Sequence, residues 1–197
     1  MIYWIGYAFW VLLGILFYPI TVYGFQNLPR DTAYILASNH LSNMDPMLIG
    51  LCCRRRISYL AKEELFENKI LSWLLYRVGA FPVKRDSADI GAIKESMKRL
   101  KKGCPIVIFP EGTRQPAAGK SDVHSGISLI AVKSGVPVVP VFLKDSDKLM
   151  PKGAKFLKRQ RVTLIFGEPK RYSKQISYPE IASRIMNEIN SLAAKVK

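Results

Sequence analysis

Acidic residues are scarce in this chain: 15 Asp and Glu stand against 30 Lys and Arg, a formal charge of +15 over 197 residues. Residues 1–29 lack Asp, Glu, Lys and Arg altogether, so the whole excess lies in the remaining 168. A body this basic favours an anionic partner: a lipid surface, a phosphorylated substrate, a nucleic acid or an acidic protein. Cysteine is rare too, with Cys52, Cys53 and Cys104 only. An odd count, two of them adjacent, excludes a disulfide framework and fits reduced thiols. No CxxC pair and no His/Cys cluster offers a metal site, so none is expected. No repeat or low-complexity segment interrupts the chain, and its length is that of one domain.

The charge-free start, MIYWIGYAFWVLLGILFY, ends at Pro19. An 18-residue helix spans roughly 27 Å, close to the bilayer's apolar thickness of about 30 Å. It lacks the basic n-region and the small-residue cleavage site of a signal peptide. Tyr3, Tyr7, Trp10 and Phe17 recur at near-helical spacing, and such aromatics favour the membrane–water interface. Residues 1–18 are therefore expected to be a membrane-anchoring helix, spanning or lying in one leaflet, and 19–197 a catalytic domain. The plainer account is a buried core helix, but a core helix of a small domain usually keeps one polar face. A spanning anchor would leave the basic remainder on the cytoplasmic face of the cell membrane.

Beyond Pro19, strands and helices alternate. Strands are expected at 20–25, 33–38, 57–61, 80–84, 105–109, 136–143 and 162–166. Helices are expected at 46–53, with Asp45 as N-cap and Pro46 at N1; at 62–78, with Leu65, Phe66, Ile70, Trp73 and Leu74 inward; and at 87–102, capped by Asp86 or Ser87. In the last of these, Ile90, Ile93, Met97 and Leu100 form the apolar stripe. Two more helices are expected at 126–134 and after Ser177, the latter opened by a Ser177–Glu180 capping box and burying Ile181, Ile185, Ile189, Leu192 and Val196. Pro137 and Pro140 argue for an edge or irregular position for the strand at 136–143. The fold class is α/β: a mixed, largely parallel sheet flanked by helices, with the N-terminal membrane-associated helix added.

Two short boxes carry the chemistry, and each follows a strand, where such folds place their sites. The first is Asn39-His40-Leu41-Ser42-Asn43-Met44-Asp45. There are two histidines in the chain, and His40 is the candidate general base, since imidazole can take a proton at neutral pH. Asp45, five residues on, can fold back to orient it. Ser42 has no nucleophile-elbow context. The second box is Phe109-Pro110-Glu111-Gly112-Thr113-Arg114. Gly112 permits a tight turn whose amides face an anion, Arg114 offers a bidentate fork, and Glu111 can accept from a hydroxyl. The plainer account is a Glu–Arg ion pair in a turn. Arg85 is a second possible phosphate ligand. As bare chemistry, a base, an acid and a phosphate clamp serve phosphoryl or acyl transfer.

The chain resembles the glycerolipid acyltransferases that include 1-acyl-sn-glycerol-3-phosphate acyltransferase. NHLSNMD matches the family's NHx4D motif, and GAFPVKRD, FPEGTR and VPVVPV match the three blocks that follow it in order. LAKEELF also looks familial. The resemblance covers roughly residues 20 to 170. It implies transfer of a fatty acyl chain from a thioester to the free sn-2 hydroxyl of 1-acylglycerol 3-phosphate, forming phosphatidate without a covalent enzyme intermediate. By position, His40 is the base and Asp45 its partner, while Arg85, Glu111, Gly112, Thr113 and Arg114 bind the glycerol phosphate. Lys62, from LAKEELF, would contribute near the reacting centre. The fourth block would shape the acyl pocket or the core. No metal or redox cofactor is implied, the co-substrate being acyl-CoA or acyl-carrier protein. Where relatives often carry Lys-x-Gly, this chain has His124-Ser125-Gly126.

The expected partners are thus a phospholipid surface, lysophosphatidate and the acyl donor. The seven basic residues of 144–161 could receive an acidic carrier protein or simply be solvated. Two other functions stay open: an acyltransferase acting on glycerol 3-phosphate or another lysophospholipid, and a non-catalytic binder of anionic lipid. Nucleic acid is not expected, because the chain has no stacking-platform motif.

Overall fold

The computed structural model describes residues 19–53, 55–84, 89–112, 126–151, 154 and 156–195. The expected anchor at 1–18 lies outside them, as do Arg85, Thr113, Arg114 and His124. Among the described residues no helix is long and apolar enough to cross a membrane.

Seven strands form one sheet: β1 (Ile20–Tyr23), β2 (Ile35–Ser38), β3 (Ser58–Lys62), β4 (Ala80–Val83), β5 (Ile106–Ile108), β6 (Val138–Lys144) and β7 (Val162–Phe166). Their spatial order is β1-β7-β6-β2-β5-β3-β4. Every neighbouring pair is parallel except β6 with β7. β2 is central and buried along its whole length, the continuous apolar run that a doubly covered parallel strand requires. Its alternate residues feed two cores. Tyr34 and Leu36 pack with Leu48 and Ile49 of helix α1 (Asp45–Cys52), on one face. Ile35 and Ala37 pack on the other face with Leu100, Ile130 and Ile185. These come from helices α3 (Ile90–Lys101), α4 (Gly126–Ser134) and α6 (Tyr178–Ala193). A short helix α5 (Ser146–Leu149), absent from the sequence reading, follows β6.

Several local expectations are corrected. The stretch 62–78 is not one helix: β3 runs to Lys62, a 3-10 turn covers Glu63–Phe66, and helix α2 is only Lys69–Arg77. The break is made by Asn68, whose side chain accepts from the amides of Ile70 and Leu71 and caps α2. Of the five side chains expected inward, Leu65, Ile70, Trp73 and Leu74 are exposed, and Phe66 is half-buried.

β6 is not at an edge but third in the sheet, between β7 and β2. Pro140 is tolerated because its ring faces the point where β7 ends. Its carbonyl accepts from Gly167 at 2.8 Å, and only the reciprocal bond is forfeited. A Cβ on Gly167 would lie 2.6 Å from the Pro140 ring, so the glycine makes room for the proline.

α3 starts at Ile90, capped by Asp89. Asp86 and Ser87 lie outside the described residues, and Ile90 is exposed rather than part of the buried stripe. In α1 the cap position is Met44, with Asp45 already helical. The Asp45 carboxylate turns back into the preceding loop instead of forward onto the helix. α6 opens as expected on Ser177, but the Glu180 carboxylate pairs with Arg184 rather than reaching back. It buries Ile181, Ile185, Ile189 and Leu192; Val196 is outside the described residues.

Candidate active site

Parallel strands put their carboxyl ends on one edge of the sheet, and the loops leaving that edge form the crevice in such folds. β2 delivers Asn39 and His40 there, neighbouring β5 delivers Phe109 to Gly112, and β3 ends in Lys62. Asn39 fixes the exit of β2. Its side-chain amide donates to the Leu143 carbonyl at 2.9 Å, and its side-chain carbonyl accepts from the Leu143 amide at 2.8 Å. The β2 loop is thereby tied to the end of β6.

His40 follows, 6% exposed, with Nδ1 2.8 Å from Oδ2 of the fully buried Asp45. The same oxygen accepts from the amides of Leu41 at 2.7 Å and Ser42 at 2.8 Å. Three donors converge on this one oxygen and offset much of the cost of burying the charge, while Asp45 Oδ1 is buried with no hydrogen-bond partner among the described residues. They also fold the box into the turn that the five-residue spacing requires. With Nδ1–H given to Asp45, Nε2 carries the lone pair. Nε2 has no hydrogen-bond partner among the described residues. Ser42 is turned to structure: its hydroxyl accepts from the Met44 amide at 3.3 Å.

The second box closes the other side. Phe109 stacks on the imidazole, ring centroids 4.1 Å apart and planes 22° apart. The Gly112 amide donates to the Phe109 carbonyl at 3.0 Å, making a β-turn with Pro110 in its second position. Gly112 takes φ 66°, a left-handed conformation costly for other residues. The turn aims Glu111 at the first box, where its Oε2 accepts from the His40 backbone amide at 3.2 Å. Burial pushes the Glu111 carboxyl above its ordinary range, and the His40 amide partly offsets this.

His40, Asp45, Glu111 and Gly112 therefore meet at one place. Lys62, half exposed at the end of β3, is paired with Glu64 at 3.6 Å. Phe109 and Asn39 hold the imidazole and its strand, and neither drew a role from sequence. The available signals were an aromatic next to the turn box, and a buried-type strand ending in an amide side chain. Among the described residues no group of His, Cys, Asp or Glu could hold a metal ion.

A histidine held by a buried carboxylate, beside a glycine turn at a strand edge, could serve more than one chemistry. The sequence profile of the Acyltransferase family matches residues 19–144, which include every candidate site residue. The chain belongs to the acyltransferase family. Its relatives there include the 1-acyl-sn-glycerol-3-phosphate acyltransferase of Bacillus subtilis, 33% identical over 151 residues, which are 76% of this chain and 73% of that one. The chloroplast 1-acyl-sn-glycerol-3-phosphate acyltransferase of Arabidopsis thaliana is 33% identical over 162 residues, 80% of this chain and 45% of that one. The chain thus spans about half the length of the plant chloroplast relatives it matches. Among solved structures, the 1-acyl-sn-glycerophosphate acyltransferase of Thermotoga maritima superposes with a TM-score of 0.74 at 28% identity, covering 91% of this chain and 72% of that one. The mixed sheet flanked by helices is the acyltransferase fold of that neighbour.

Proposed function

We propose that the chain transfers a fatty acyl group from an acyl thioester, acyl-CoA or acyl-carrier protein, to the sn-2 hydroxyl of 1-acylglycerol 3-phosphate, yielding phosphatidate at a membrane surface. The observation that carries this is the His40–Asp45 pair, with Nε2 left for a hydroxyl proton beside the Glu111–Gly112 turn. In the proposed step the acceptor hydroxyl oxygen attacks the thioester carbonyl while His40 Nε2 takes its proton. The new C–O bond forms, the C–S bond breaks, and the departing thiolate recovers the proton. Asp45 holds the imidazole in the productive tautomer and stabilises the imidazolium. A thiolate leaves readily, so positioning and base catalysis carry most of the acceleration. Gly112, with Glu111, Thr113, Arg114, Arg85 and Lys62, is the proposed ground for the glycerol phosphate. The matched boxes and the relatives' names support this reading. No metal or redox cofactor enters the step.

The test is acylation of lysophosphatidate by purified full-length protein, with acyl-CoA and acyl-carrier protein as donors in parallel and glycerol 3-phosphate and a lysophospholipid as rival acceptors. His40→Ala is expected to lose roughly 10²- to 10⁴-fold in kcat with its thermal unfolding still cooperative. Full activity in that variant overturns the assignment.

A further inference from the structure

Helix α2 is turned inside out. Of its nine side chains only Ser72 and Leu75 are half covered, and the other seven are exposed. Ile70 is 81% exposed, Trp73 51% and Leu74 45%, with Leu71 and Tyr76 beside them and Leu65 in the preceding turn. A helix at a protein–water boundary normally hides its apolar stripe and shows water its polar one. Here serine faces the body and isoleucine, tryptophan and leucine face out. A contiguous apolar patch of this kind points to an interaction surface.

The charge around the patch selects the occupant. Lys69 and Arg77 stand at the two ends of α2, and the Arg77 guanidinium lies over the Trp73 ring at 5.1 Å. Arg56 reaches the Arg77 carbonyl at 3.3 Å, and Lys84 lies near Glu63. Three glutamates of the adjoining turn, Glu63, Glu64 and Glu67, are outnumbered by Arg56, Lys62, Lys69, Arg77 and Lys84. An apolar face with an aromatic at its centre and cations at its rim is the composition of a helix lying in the headgroup layer, where long basic side chains reach the lipid phosphates. The patch also has the right place: the turn before α2 leaves β3 at the sheet edge that carries His40 and Glu111.

We infer that α2, with the Glu63–Phe66 turn, is a leaflet-docking surface that seats the catalytic edge on an anionic phospholipid bilayer, independently of any anchor at residues 1–18. The choice of lipid as occupant rests in part on the lipid acceptor proposed above. Binding through α2 would let a lysophospholipid pass from the leaflet to the site without crossing water.

The chain has three tryptophans, at 4, 10 and 73. In the full-length Trp4→Phe/Trp10→Phe variant, Trp73 is the sole reporter. Its emission is expected to shift to the blue on adding phosphatidylglycerol vesicles and to be quenched by lipids brominated in the upper acyl chain. The shift should be weaker with phosphatidylcholine vesicles. Ile70→Glu/Leu74→Glu in that background should weaken vesicle partition at least about tenfold. Its melting temperature should be unchanged, since neither side chain is in the core. Trp73 emission that ignores vesicles overturns the inference, whether or not the chain cosediments with them. So does emission already blue-shifted without lipid: if it depends on protein concentration, a second copy covers the face, and if not, the chain's own residues do. Acylation of a short-chain, monomeric lysophosphatidate by both forms separates the two readings. Activity absent from both sinks the acyl-transfer proposal, while the fluorescence still decides the docking surface.

Discussion

Asp45 is a buried carboxylate whose Oδ2 takes a histidine ring and two backbone amides. Replacing it by Asn keeps the shape and removes the charge, so the imidazole loses both its orientation and the partner of its protonated form. Asp45→Asn is expected to lower kcat roughly 10²- to 10⁴-fold. It should also cost about 1–3 kcal/mol of stability, because amide hydrogens replace acceptor lone pairs in a buried place. Steady-state kinetics and denaturant melts check the two separately. Glu111 has the opposite electrostatic character: burial raises its carboxyl above the ordinary 4.5 of a glutamate. Between the unfolded and the raised folded value, the folded state holds a proton that the unfolded chain has released. Its contribution is full below the unfolded value and is lost as pH rises through the raised one. Glu111→Gln is therefore expected to flatten the decline in stability over weakly acidic pH while keeping an acceptor for the His40 amide. Chemical denaturation at a series of pH values reads this.

At the scale of elements, caps and breaks decide the outcome more than periodicity does. Asp89 takes the amides of Lys84 and Ala92, joining the end of β4 to the start of α3. The Lys84 amide is the main reason that its carboxyl sits below the ordinary range. A lowered carboxyl contributes stability above its unfolded value and loses it as pH falls through the folded one. Asp89→Ala is expected to cost about 1 kcal/mol at neutral pH, and the gap from wild type should close in acid. Melting curves at neutral and strongly acidic pH test both halves. The same kind of residue, Asn68, split an expected seventeen-residue helix in two. Periodicity placed the apolar positions of 62–78 on one stripe, yet the cap set the register and left that stripe facing outward.

For the whole molecule, the two cores on either side of β2 are expected to open together, because both pack on the same buried strand. Cys53 tests this: it is buried beside Tyr34, and burial holds its thiol well above the usual range. Burial likewise pushes Cys52 up to about 12. In Cys52→Ser/Cys104→Ser, alkylation of Cys53 at neutral pH is expected to track global unfolding, slowing by the full folding equilibrium constant relative to a denatured control. Labelling faster than that, at a rate independent of added denaturant, would show that α1 lifts from the sheet on its own. The +15 charge acts at this scale too, as a field that favours anionic partners and is screened by salt.

The strands, their largely parallel class, the caps at Ser177 and the meeting of His40 with Asp45 were legible in the sequence because each depends on residues close along the chain. A five-residue spacing can close on itself wherever backbone amides and an imidazole converge on one carboxylate. The placement of Glu111 under the His40 amide, the stacking of Phe109 and the tie from Asn39 to Leu143 were not legible. They span separations of about 70 to 104 residues and exist only once β2, β5 and β6 lie side by side. The central position of β6 was decided the same way, since a proline's missing donor matters only where a neighbouring strand asks for it. Sequence alone determined the family and the local turns that hold its two boxes. Tertiary structure decided which of their residues share an edge and which apolar face is left exposed. Periodicity records what a residue is, and only the packed neighbours determine what covers it.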